Sequence, residues 1–178
     1  MTRTEDFVDE VGDVVEALRA LGLDPVLVGG MALVVLGSRR VTRDFDFVIA
    51  HPGDRLEEVV DVFYDRGLEL ASRLSNEGDI TTTIDNRRVA AARLRLDAPA
   101  SAYFLNPDTG LRVDLLFDFP VPASTLAARA VRTKVQSHVF RIASDEDLLR
   151  LKEIAQAHRS SPGDAQDIAF LEARRRSS

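Results

Sequence analysis

Asp44 and Asp46 stand two residues apart in Asp44-Phe45-Asp46-Phe47-Val48-Ile49, and Asp114 lies inside Leu111-Arg112-Val113-Asp114-Leu115-Leu116-Phe117. In an extended strand, residues two apart share a face. The carboxylates of 44 and 46 then point one way, and Phe45, Phe47 and Ile49 point the other. Like charges beside apolar runs need compensation, and divalent cations supply it best where hard oxygen ligands converge. If the two strands are neighbours, the three acids meet across the sheet. Such a trio suits a two-metal site. One ion holds a nucleotide triphosphate, and the other lowers the pKa of an attacking hydroxyl. The third acid can also assist proton removal. Asp118, at the exit of its strand, is a weaker rival for the third position.

Gly29-Gly30 fits the same chemistry. The turn follows the buried-strand run Val26-Leu27-Val28 and precedes the apolar segment Met31 to Leu36, which reads as a short buried helix. Two glycines allow close backbone approach to a ligand, and free N–H groups at a helix start favour phosphate. Thirteen residues then separate Gly30 from Asp44. Arg39, Arg40 and Arg43 occupy that interval, either as phosphate contacts or as charge balance for the acids. Lys152 is a phosphate contact or a solvated side chain. Arg159, Asp164 and Asp167 suit pairing between helices. His51, His138 and His158 share no metal-ligand spacing.

The elements that must hold these residues follow from periodicity. Phe7, Val8, Val11, Val14, Val15, Leu18 and Leu21 predict a helix over 5–21, and a second helix is expected over 54–66. A strand at 68–71 is expected, and a hairpin over 102–117 around Asn106-Pro107-Asp108-Thr109-Gly110. Residues 80–84 and 89–96 read as two strands joined at Asp85-Asn86, or the second as a helix edge. Residues 123–131 read as helical and Val135 to Ile142 as extended. Ser144 caps a helix over 145–158, and a last helix covers about 164–174. The resulting class is α/β (α+β): a small mixed twisted sheet flanked by helices. The organisation expected is a core over 1–120 and a strand-and-helix extension over 121–178 packed on it.

Composition bounds the function. The chain has 178 residues, 45% hydrophobic and 29% charged, with no cysteine, which excludes thiol chemistry and disulfides. No leader-like or membrane-spanning run is evident, so a cytoplasmic protein is expected. Residues 1–120 carry 13 Lys/Arg against 22 Asp/Glu, and the remainder carries 10 against 7. That balance argues against broad nucleic-acid binding by the first two thirds.

Val28-Gly29-Gly30-Met31-Ala32-Leu33, then Arg40-Val41-Thr42-Arg43-Asp44-Phe45-Asp46-Phe47-Val48, then Asp114 on a strand, together resemble the nucleotidyltransferase superfamily, the polymerase-beta-like fold. With Asp147-Leu148-Leu149-Arg150-Leu151-Lys152 and the later Arg159, Asp164, Asp167 and Ile168, the pattern is most similar to AbiEii-type and minimal nucleotidyltransferases of bacterial toxin–antitoxin systems. The resemblance implies that Gly29 and Gly30 hold nucleotide phosphates, with Arg40, Arg43 and Lys152 assisting. It implies that Asp44, Asp46 and Asp114 are both catalytic and ligands for Mg2+, with two ions expected. The substrate would be an NTP such as ATP. The acceptor hydroxyl would belong to an RNA such as tRNA, a protein or a small molecule, and a cognate antitoxin would be a partner. The competing reading is a catalytically inactive nucleotidyltransferase fold that binds or regulates.

Overall fold

The computed structural model describes residues 4–158 and 163–177; Arg159 lies outside them. The chain runs α1 (Thr4–Ala20), β1 (Val26–Val28), α2 (Gly29–Val35), β2 (Asp44–Ile49), a 3-10 turn (Gly53–Arg55), α3 (Leu56–Tyr64), β3 (Glu69–Leu74) and β4 (Ile80–Ile84). It continues with α4 (Arg87–Asp97), β5 (Ser101–Leu105), β6 (Arg112–Phe117), α5 (Ala123–Arg129), β7 (Val131–Val135), β8 (His138–Ile142), α6 (Asp145–His158) and α7 (Asp164–Ser177).

All eight strands form one mixed sheet in the order β4-β3-β5-β6-β2-β1-β8-β7. The β2–β6 and β1–β8 pairs are parallel, and the others are antiparallel. The expected hairpin over 102–117 is the β5–β6 pair. The class is α/β, as the alternation of patterns implied. The sheet's centre carries the most apolar strands: Leu27, Phe47, Ile49, Val113 and Leu115 are each at most 1% exposed. Strands buried this fully sit at a sheet's middle because both their faces must be covered.

Helix α1 forms where the three-and-four spacing placed it, and all of Phe7, Val8, Val11, Val14, Val15 and Leu18 are buried. It packs on α3 and β8. Short α2 packs on β1, β2 and α6, so the segment that enters the site is held from three sides. Helix α6 begins as expected: Ser144 Oγ accepts from the Asp147 N–H at 3.1 Å, a cap that stabilises by about 1 kcal/mol. Its acidic first turn, Asp145 to Asp147, suits the positive helix end. Among the described residues, no helix is long and apolar enough to cross a membrane.

Two segments needed the structure. Residues 87–97 take the helical one of the two readings open to them, and Asn86 caps them: its side chain accepts from the N–H groups of Arg88 and Val89. Only Ala90, Ala91 and Leu94 are buried there, a stripe too narrow to give a clear period. The stretch Val135 to Ile142, expected as one extended run, instead spans the turn of a β7–β8 hairpin over 131–142, and the helix expected over 123–131 ends at Arg129. The chain turns at Gln136, which has φ 56°, and Val135 pairs with His138.

Candidate active site

Strand β2 lies beside β6 in parallel register, with Asp46 opposite Asp114 and Asp44 opposite Arg112. Strand β1 flanks β2 on the other side and ends at Val28, the partner of Asp46. The chain then enters α2 through Gly29, at φ +71°, where a Cβ would collide with Asp46 Oδ2. The glycine turn and the three acids therefore occupy one place. The backbone ladder brings them there, with no flexible loop between.

The carboxylates are strongly coupled. Burial first, and then the neighbouring Asp114 charge, push Asp46 up to about 8. Hydrogen bonding between the two carboxyls raises Asp46 further and lowers Asp114. Burial also raises Asp114, against the opposing pull of Arg112. Asp44, whose side chain is 47% exposed, is raised by burial, lowered by Arg112, and raised again by the charge of Asp79. Three acids thus face one guanidinium.

That guanidinium belongs to Arg112 on the same strand, so Asp114 is also a structural salt-bridge partner, the alternative role its sequence setting allows. Its Nε donates to Asp114 Oδ1 at 2.8 Å and its Nη2 to Asp114 Oδ2 at 3.1 Å, a bidentate hold. Nη1 donates to the Gly78 carbonyl at 2.7 Å, and Nε lies 3.9 Å from Asp44 Oδ2. The signal was present: residues 112 and 114, like 44 and 46, are two apart on one strand and so share a face. Among the described residues, no group of three acidic or histidine side chains forms a preassembled metal cage. Arg112 fills the space between Asp44 and Asp114.

The other residues singled out from the sequence fall into two groups. Gly30 lies against Arg40, whose Nη1 would be 2.7 Å from a Cβ at that position. The Arg40 Nη1 also donates to Asp167 Oδ2 at 2.5 Å, and Lys152 Nζ lies 2.8 Å from the same oxygen. Arg40 and Lys152 thus meet over one fully buried carboxylate at the start of α7, with Arg40 reaching back to the glycine turn. Arg43 is exposed on the segment entering β2. Asp118 stands apart from the acids: its carboxylate accepts from the His51 and Ala123 N–H groups and organises the loop after β6.

Removing Asp167 would leave two partly buried cations without their shared anion. Asp167→Ala is expected to lower stability by about 2–3 kcal/mol in urea unfolding, and Asp167→Asn by less. An unchanged midpoint would show that these ions are already solvated.

A surface hollow between α3 and α4, lined by Glu57, Asp61, Arg87 and Arg88, is separate from the carboxylates. Its charges already pair with exposed neighbours, Arg87 with Asp61 and Asp65. It carries no chemistry of its own.

Comparison with solved structures places this mixed sheet and its flanking helices among nucleotidyltransferases. The chain has the nucleotidyltransferase fold. It is similar to the lincosamide antibiotic adenylyltransferase LnuA in its lincomycin-bound form, at 13% identity and TM-score 0.57, over 92% of this chain and 95% of that one. It is equally similar to the antibiotic-resistance factor ANT(2'')-Ia, at 14% identity and TM-score 0.57, over 98% and 94%. An antigenic nucleotidyltransferase-like protein from Paracoccidioides brasiliensis also matches, at 18% identity and TM-score 0.57, over 92% and 75%. No family profile matches the sequence, and no curated protein aligns with it significantly.

Proposed function

We propose that the protein transfers a nucleoside monophosphate from an NTP to an acceptor hydroxyl, with Asp44, Asp46 and Asp114 holding Mg2+. The observation that carries this reading is the register of β2 and β6, which sets Asp46 directly opposite Asp114 beside Gly29. The donor set fits a divalent cation. It offers hard carboxylate oxygens only, one guanidinium compensates three acids, and Asp46 keeps its proton in the absence of further positive charge. When bound, such ions polarise the phosphoryl oxygens and favour the alkoxide form of the acceptor.

The chain's own residues do the rest. The N–H groups of Gly29 and Gly30, in the first turn of α2, lack intrahelical acceptors and would serve a phosphate oxygen. Arg40, against Gly30, supplies a charge to the same place, with Lys152 behind it. The acceptor oxygen attacks the α-phosphorus, the bond to the β-phosphate oxygen breaks, and pyrophosphate leaves. The acceptor's proton would pass to a carboxylate oxygen of Asp114.

For the acceptor we favour a small hydroxylated molecule. Residues 1–120, which carry the acids, hold 22 Asp/Glu against 13 Lys/Arg, a field that repels RNA. Among the structural neighbours, ANT(2'')-Ia is seen with adenylyl-2''-tobramycin. The motif resemblance to toxin–antitoxin enzymes leaves a protein acceptor and a bound antitoxin as the next partners to examine.

The test is incubation with each α-labelled NTP, Mg2+ and a cell extract, followed by separation of small molecules, protein and RNA. Label in the small-molecule fraction that vanishes with Asp44→Ala is the expected result. Label in no fraction, with NTP binding that survives Asp44→Ala and Asp46→Ala, would establish the inactive binding fold instead.

A further inference from the structure

The β3–β4 hairpin is joined to the sheet only at its base. Strand β3 pairs with β5 through Glu69–Leu105 and Leu70–Phe104 alone. Beyond Leu70 the β3–β4 register shifts twice, between Ala71 and Arg73 and between Arg73 and Leu74. A hollow of about 220 Å³ opens there, lined by Ser72, Arg73, Leu74 and Tyr103 among others. The outer hairpin therefore stands off β5. It is the edge of the sheet, and its turn is a compact unit, with the Ser75 N–H bonded to the Asp79 carbonyl and the Gly78 N–H to the Ser75 carbonyl.

What reaches across from the sheet to this turn is Arg112. Its Nη1 donates to Gly78, its Nε and Nη2 grip Asp114, and its guanidinium lies 5.0 Å from the Tyr103 ring centre. The side chain is 15% exposed. All these donors lie in one rigid plane, so Arg112 cannot let go of Asp114 by rotation and keep its bond to Gly78.

We propose that Arg112 is an internal counter-cation: it holds Asp114 until that carboxylate takes a divalent cation, and in leaving it unlatches the β3–β4 hairpin. Asp79 is within electrostatic reach of Asp44, so freeing the turn also moves a negative charge away from the acids. Arg112 thus acts as a positioning residue that ties the loading of the site to the shape of one wall. The inference rests on the proposed cation-dependent reading of the acids.

The test uses the whole chain, Mn2+ titration calorimetry and hydrogen exchange of residues 71–84, with and without saturating Mn2+. In wild type, Mn2+ is expected to speed exchange over 71–84 by about fivefold or more, the lower end of ordinary site-to-site coupling. Arg112→Gln should exchange fast there with or without Mn2+, and should bind Mn2+ about fivefold tighter because no guanidinium competes. Arg112→Lys keeps the charge and loses the fork. It should free the hairpin while binding Mn2+ close to wild type, and it serves if the glutamine variant does not fold. Saturable Mn2+ binding by wild type with no change in exchange overturns the latch, as does equal or weaker binding by Arg112→Gln. No saturable binding by wild type at all overturns the cation reading of the acids themselves, and the latch with it.

Discussion

Asp46→Asn is expected to abolish nucleotide transfer, by about 10³-fold, and at the same time to make the metal-free protein more stable. The two effects have one cause. Asp46 is pushed up to about 8 by burial and by the Asp114 charge, so its ionised form is unfavourable in the fold until a cation compensates it. A carboxyl raised in the folded state gives stability that is full below its unfolded pKa of about 3.9 and is lost as pH climbs through the folded value. With EDTA present, wild-type stability should therefore decline between about pH 4 and 8. The asparagine variant lacks this component and should exceed wild type at pH 8. Asp46 is coupled to Asp114, which shares the cost of the charge, so the gain is put at about 1–2 kcal/mol, or about 3–6 °C for a chain of this size. Saturating Mg2+ should reverse the order by stabilising wild type alone. The activity loss corresponds to about 4 kcal/mol of transition-state stabilisation, the scale on which a metal-held phosphoryl group depends. An asparagine variant that melts at or below wild type in EDTA at pH 8 would refute the charge argument.

Gly29→Ala is expected to damage both fold and activity, because two costs coincide. A residue with a Cβ at φ +71° is strained by about 1–2 kcal/mol, and this Cβ would meet Asp46 Oδ2. Either Asp46 or the β1–α2 turn must shift. The expected loss is about 2–4 kcal/mol of stability and about 10²-fold or more in kcat/KM, since small displacements of positioning groups are costly. Gly37→Ala separates the two costs: Gly37 has φ +108°, but nothing lies within 4 Å of its added Cβ. It should lose about 1–2 kcal/mol and no activity. Equal activity in Gly29→Ala and wild type would remove the turn from the site.

The acids and the glycine turn were legible because they depend on strand alternation and order along the chain, which are local. Asp44 and Asp46 share a face by the rule of two, and their strand's apolar face, Phe45, Phe47 and Ile49, is buried as that rule requires. That β6 lies next to β2 stood only as a condition for the acids to meet, and the register meets it to the residue. What could not be read were occupancies. Arg40 and Lys152 carry the right charge, but their common partner Asp167 lies 127 residues from Arg40. The hold of Arg112 on Asp114 obeys the same alternation that revealed Asp44 and Asp46. Residues 87–97 stayed open between strand and helix because arginines interleave with alanines there; the cap at Asn86 was the decisive signal.

Strand β1, which delivers the chain to Gly29, pairs on one edge with β2, close in sequence, and on the other with β8, where Val26 meets Arg141. During synthesis the first edge can close once residue 49 has emerged, while the second waits for about 90 further residues, several seconds at ordinary elongation rates. Throughout that interval a fully apolar strand presents a bare row of amide and carbonyl groups to the cell. The nascent chain is thus most prone to aggregation at the strand that builds its candidate active site, and yield should depend on how quickly the ribosome reaches the β7–β8 hairpin.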